Sequence, residues 1–188
     1  LIKNPERIRA LTDGIVRFLK GLIEQYASLG VVDAVLLADD QAMQTGPYFA
    51  MELWHEYLQP CYRELVSCAH AHGLRFFFHT CGNLQDHLAG LIECGVDLID
   101  NKQPSLWMHS PAAGEAVGRV CFCTCLDMVR LLAMPVEQVE DAVHELIDTL
   151  STPAGGFIGT TFNLQNPDLQ PEVLDAMWKA YASYSRTL

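Results

Sequence analysis

Positive charge is scarce in this chain: 12 lysines and arginines stand against 23 aspartates and glutamates, a formal net charge of −11. No basic cluster interrupts that balance, so a nucleic-acid partner is excluded. Long apolar runs are missing too. The longest are strand-sized, which excludes a helical membrane span. No basic start leads into an apolar stretch, so no export leader is read. The seven cysteines are odd in number and without framework spacing, which argues against a disulfide scaffold and for a reducing cytoplasm. No Gly-x-Gly-x-x-Gly follows the first strand, which disfavours a dinucleotide-binding sheet. With no linker, low-complexity tract or repeat, residues 1–188 read as a single domain. The chain opens on Leu1 and not on Met, as a piece of a longer protein would.

Half of the residues are hydrophobic, enough for one sizeable core, and their spacing alternates between two periods. Asn4-Pro5 opens a helix, with Ile8, Leu11, Ile15, Phe18, Leu22 and Tyr26 predicted to face inward and Gly30 as its stop. Residues 33–38 then read as a buried strand, and 39–50 as a polar loop. Met51 to His72 reads as a helix that Pro60 must kink or divide. Further strands are predicted at 74–78, 96–99, 119–124 and 156–159. Helices are predicted at 85–94, at about 112–117, from Pro135 with Val136, Val139, Val143, Leu146 and Ile147 inward, and from Pro171 to Tyr181. Five apolar strands, each followed by a helix, mean an α/β fold with parallel strands under covering helices. An eight-stranded barrel takes about 250 residues, so the reading is a partial (β/α)8 TIM-type barrel without its first three strands, or an open sheet.

In such folds, sites form at the carboxyl ends of the strands. Polar residues cluster there: Asp39, Asp40 and Gln44; His79, Cys81 and Asn83; Asp100, Asn101 and Gln103; Cys125 and Asp127; Thr160, Thr161 and Asn163. The opposite ends carry turn glycines. His79 and Cys81, two residues apart at a strand end, share one face and offer two zinc donors. Asp39 and Asp40 suit a metal, a cationic group or acid–base work, and equally a helix cap. Cys121 and Cys123 read as core filling, Trp54 and Trp107 as packing anchors, and His70 and His72 as helix-end histidines.

Five segments in order carry a family resemblance. They are Asp39-Asp40 through Gln44-Thr45-Gly46-Pro47 to Pro60; His70 to Gly73 leading into His79-Thr80-Cys81-Gly82-Asn83; Gly95-Val96-Asp97 with Gln103-Pro104; Leu126-Asp127 with Met134 to Val139; and Gly155-Gly156-Phe157 with Asn163 and Pro167. Together they resemble the carboxyl-terminal portion of the uroporphyrinogen decarboxylase superfamily, an eight-stranded barrel. The resemblance implies an enzyme acting on a small-molecule substrate, either a methyltransferase or a carboxy-lyase. The His-x-Cys pair is similar to the methyltransferase branch. There zinc, with His79 as neutral and Cys81 as anionic ligand, activates a thiol that takes a methyl group from a corrinoid carried by a partner protein. That branch has a further Cys after the last strand, where this chain reads Gly159-Thr160-Thr161-Phe162-Asn163. Cys125 and Asp39 are the expected substitutes. Asp39, Asp40 and Asp127 are expected in catalysis, and Gln44, Asn83, Gln103 and Asn163 around the substrate. The alternatives are metal-free decarboxylation of a tetrapyrrole, for which the arginine-rich amino-terminal loop is absent, and a non-catalytic half-barrel whose open edges need a partner chain or a homodimer.

Overall fold

The computed structural model describes residues 3–161 and 166–184. Five strands form one parallel sheet: β1 (Ala34–Ala38), β4 (Arg75–His79), β5 (Leu98–Asp100), β6 (Cys121–Thr124) and β7 (Phe157–Gly159). Two short strands, β2 (Ala42–Met43) and β3 (Gly46–Pro47), pair as a hairpin inside the predicted polar loop. In the sheet each strand pairs with the next in the chain, in the order β1-β4-β5-β6-β7. A doubly wound sheet reverses its order at a switch point. This one does not, and it forms an arc of a TIM-type barrel wall.

Strand register sorts the side chains into layers. Leu36, Phe77, Leu98 and Cys121 align in one row, and Ala38, His79, Asp100, Cys123 and Ile158 in the next. The two rows are two residues apart and share a face. On the other face Phe76, Phe78, Ile99 and Phe122 are buried in the main hydrophobic cluster with the helices, and Val35 and Leu37 pack against it. Cys121 and Cys123 therefore lie on the face away from the helices, half-buried, and do not fill the core as the sequence suggested.

The helices are α1 (Pro5–Ser28), α2 (Met51–Leu53), α3 (Gln59–Ala71), α4 (Leu88–Cys94), α5 (Pro111–Ala116), α6 (Met128–Ala133), α7 (Val139–Leu150) and α8 (Pro171–Ser183). The expected perturbation at Pro60 takes the form of a change of helix type. A π-helical turn at Trp54–Leu58 precedes it, in which Gln59 N–H still reaches Trp54 O, so the helical run over 51–71 is continuous and the proline is accommodated by this widened turn. Trp54 and Trp107 are fully buried anchors. Their indole N–H groups donate to Gln41 Oε1 at 2.8 Å and Asn101 Oδ1 at 3.0 Å. His70 pairs with Asp97 at 2.7 Å, far from the strand ends that carry the site. Helix α6 was not foreseen, and Val136 is exposed instead of facing inward.

The largest correction concerns α1. It buries Val16 and Ile23 and packs along α3, aided by Arg9–Glu56 and Lys20–Glu64 ion pairs at 2.6 and 2.7 Å. The predicted inward stripe is left uncovered: Leu11, Ile15 and Tyr26 are exposed, and Phe18 is 66 % exposed. Periodicity identifies an apolar face but does not say what covers it. Beside it lies a 210 Å³ groove lined by Leu19, Leu22, Tyr26, Leu36 and Leu65, among others. Leu36, on the edge strand β1, is 56 % exposed. No helix among the described residues is long and apolar enough to cross a membrane.

Such contiguous apolar surface favours association. Substituting Phe18→Ser with Leu36→Ser is expected to lower apolar-dye binding and self-association, while far-UV circular dichroism stays unchanged. Unaltered dye binding would show that this face is covered in solution.

His87, at the entry to α4, is buried edge-on against Trp54 with ring centroids 5.3 Å apart, and its Nδ1 finds no hydrogen-bond partner among the described residues. Burial pushes its pKa down to about 4. The unfolded imidazole, at about 6.5, takes up its proton first as pH falls. Stability is therefore complete above about pH 6.5 and is lost as pH drops toward 4. In denaturation measured across that window, His87→Phe is expected to flatten this part of the dependence.

Candidate metal centre

The strand ends prolong the sheet ladder into the loops. Asp39 N–H donates to His79 O at 3.0 Å, Thr80 N–H to Asp100 O at 3.0 Å and Asn101 N–H to Cys123 O at 3.2 Å. Past β4, each residue of the turn is tied to a neighbour. Thr80 Oγ1 accepts from Gln41 N–H at 3.0 Å. Cys81 N–H donates to Asp40 Oδ1 at 2.8 Å, Gly82 N–H to Gln103 Oε1 at 2.9 Å and Asn83 N–H to Met43 O at 2.9 Å. Asn101, fully buried, satisfies its amide completely. It donates to Thr80 O and Gly82 O at 2.8 and 3.1 Å and accepts from Gln103 N–H and Trp107 Nε1–H at 2.8 and 3.0 Å.

This scaffold presents three donors. His79 Nδ1 bonds Asp100 Oδ2 at 2.7 Å, and its Nε2 lies 3.8 Å from Cys81 Sγ. With one carboxylate oxygen of Asp40, these atoms all lie within 4.8 Å of one another. Two ligands of a tetrahedral zinc stand roughly 3.5 Å apart, given ordinary Zn–N and Zn–S lengths. The residues therefore fit zinc, and the carboxylate on Nδ1 is the partner that a ligating histidine ordinarily has. Burial first, then Asp40 and Asp100, push the Cys81 thiol above its ordinary value, with Lys102 opposing. A cation among these groups offsets that penalty and favours the thiolate.

The other expected residues are dispersed. Asp39 Oδ2 accepts from Tyr62 O–H at 2.7 Å and stands outside the donor group. Cys125 is also outside it, 1 % exposed, with burial pushing its thiol up to about 12. Asp127 is buried and accepts Ser105 N–H at 3.1 Å. Asn83 Oδ1 accepts Gln85 N–H at 3.2 Å. Gln44 is exposed in the hairpin turn, and Gln103 braces the Cys81 loop. Asn163 lies outside the described residues. Sequence reasoning missed Lys102, buried with its Nζ on Asp100 Oδ1. The spacing Asp100-x-Lys102 at a strand end, matching His79-x-Cys81 on the neighbouring strand, was the available signal.

Comparison with known proteins agrees with this architecture. The family described as uroporphyrinogen decarboxylase (URO-D) matches residues 1–184. No curated protein matches the chain. Among solved structures, a methyltransferase from Methanosarcina mazei superposes with a TM-score of 0.59 at 15 % identity, over 91 % of this chain and 46 % of that one. At that identity the likeness is one of fold, and this chain spans about half the length of the matched structure.

Gly82 is the tightest point of the site, with φ +85° and room for no side chain. A Cβ would lie 2.2 Å from Ala42 O. Gly73 shares the left-handed backbone, at φ +74°, but faces open space. Gly82→Ala is expected to cost about 2–4 kcal/mol and Gly73→Ala about 1 kcal/mol in chemical denaturation. Equal losses would remove the close approach as the cause.

Proposed function

The chain belongs to the uroporphyrinogen decarboxylase family, and from that premise we propose that it works in the methyltransferase-like branch, in zinc-assisted methyl transfer to a thiol acceptor. The carrying observation is the juxtaposition of His79 Nε2, Cys81 Sγ and the Asp40 carboxylate, with Asp100 on the far ring nitrogen. Zinc bound there would supply a Lewis acid that keeps a thiol ionised at neutral pH. Asp100 keeps the proton on Nδ1 and so leaves the Nε2 lone pair free for the metal. Cys81 contributes the anionic sulfur. Asp40 would join them from its exposed side, and a metal held by these three donors would have room to polarise the acceptor thiol. The acceptor thiol would release its proton to solvent, and its sulfur pair would form the new bond to the methyl carbon. The electrons of the broken bond leave with the donor, a methylated corrinoid on a partner protein.

A second element rests on the α1 stripe and the outer edges of β1 and β7, which are uncovered among the described residues. The chain works together with further barrel strands, on a partner chain or a second copy.

Metal analysis of the purified chain tests the reading. About one zinc per chain is expected, absent in His79→Ala and Cys81→Ala, weakened on the order of tenfold or more in Asp40→Ala, and retained in Cys125→Ala. Metal-free protein that binds a tetrapyrrole would replace this reading with decarboxylation of the uroporphyrinogen type.

A further inference from the structure

Lys102 has no role in the account above. It is 8 % exposed, and its Nζ sits on Asp100 Oδ1, the carboxylate whose other oxygen holds His79 Nδ1. A buried ion pair is often no more stabilising than apolar packing of the same volume. Fold stability is therefore a weak reason for a lysine here. We propose that Lys102 is a positioning residue of the metal centre: by anchoring Asp100 it fixes the His79 ring, with the proton on Nδ1 and Nε2 toward Cys81. The inference rests on the zinc reading given above.

The geometry is that of a relay with one conformation. Asp100 ends β5 in register with His79 at the end of β4, so the ring and the carboxylate are neighbours by strand pairing. One carboxylate oxygen goes to the ring and the other to the ammonium, which removes rotation about the carboxylate. Between Asp100 and Lys102 stands Asn101, whose four side-chain hydrogen bonds fix the backbone from which Lys102 projects. Without the ammonium, Asp100 Oδ1 would lose its partner inside a site that already holds the Asp40 carboxylate. Lys102 thus places a buried cation at the mouth, directly on the carboxylate that holds the ligand ring. The principle is that of outer-shell partners, which orient a ligand without touching the metal.

The test compares Lys102→Met, which keeps the apolar stem, with Lys102→Arg, Asp100→Asn and the Lys102→Met/Asp100→Asn double variant. Zinc affinity is read by competition with a chromophoric chelator, and the His79 tautomer by long-range proton–nitrogen spectra of the metal-free chain. Lys102→Met and Asp100→Asn are each expected to weaken zinc about 10–100-fold, and the double variant no more than the worse single one. Lys102→Arg should restore most of the affinity. In the metal-free chain, His79 should carry its proton on Nδ1 and become a mixture of tautomers in Lys102→Met. Zinc binding within about twofold of the parent chain together with an unchanged tautomer in Lys102→Met would overturn the proposal. So would a lowered thermal midpoint with neither readout moved, which is what a purely structural lysine gives. A parent chain that takes no zinc would sink the functional reading and the metal-centre role with it, while the tautomer readout separately decides whether Lys102 orients the His79 ring.

Discussion

The parallel register that sets His79 opposite Asp100 is the constraint on which the rest of the site depends. A one-residue slip between β4 and β5 would turn His79 toward the helices and Phe78 toward the mouth. The register is held because Phe76, Phe78 and Ile99 are locked in the helix-covered core on the opposite face. Apolar packing on one side of the sheet thus decides which polar groups meet on the other. The 2.7 Å contact between His79 and Asp100 is its direct product.

The mouth combines this core-determined pair with groups brought by loops. Cys81 follows β4 by two residues, and Asp40 arrives from the end of β1, tied to the Cys81 backbone. Gly82 allows the hairpin to approach where any side chain would collide. Carboxylates at Asp40 and Asp100 stand near one buried ammonium among the described residues, Lys102 on Asp100, so the local balance is negative and suits a divalent cation.

Much of this was legible in the residues. Strands such as Phe76-Phe77-Phe78 are short apolar runs between glycines, and Pro60 admits only a break or a kink. His79 and Cys81 announced themselves by spacing and by position at a strand end. The misses have physical causes. The stripe on α1 is a sound amphipathic pattern whose cover is not among the described residues. The β2–β3 hairpin consists of two-residue strands, too short for any period to show. Asp40, and not Asp39 or Cys125, joins the donors because Asp39 is engaged by Tyr62 and Cys125 is buried apart. Which of two adjacent carboxylates turns inward depends on tertiary hydrogen bonds that adjacency cannot reveal. Lys102 was passed over because a lysine after a strand ordinarily reads as a solvated loop residue, although its spacing from Asp100 matched that of Cys81 from His79.

The sequential strand order also shapes how the molecule opens. Each βα unit leans on its chain neighbours, so the array behaves as a near-linear stack in which interior units are supported from both sides and terminal ones from one. His79, Cys81 and Asp100 belong to units with neighbours on both sides, whereas Asp40 is carried by the terminal unit that contains β1. Among the described residues, opening of an outer strand at β1 would therefore free Asp40 while leaving the histidine–carboxylate pair of the two inner strands in place.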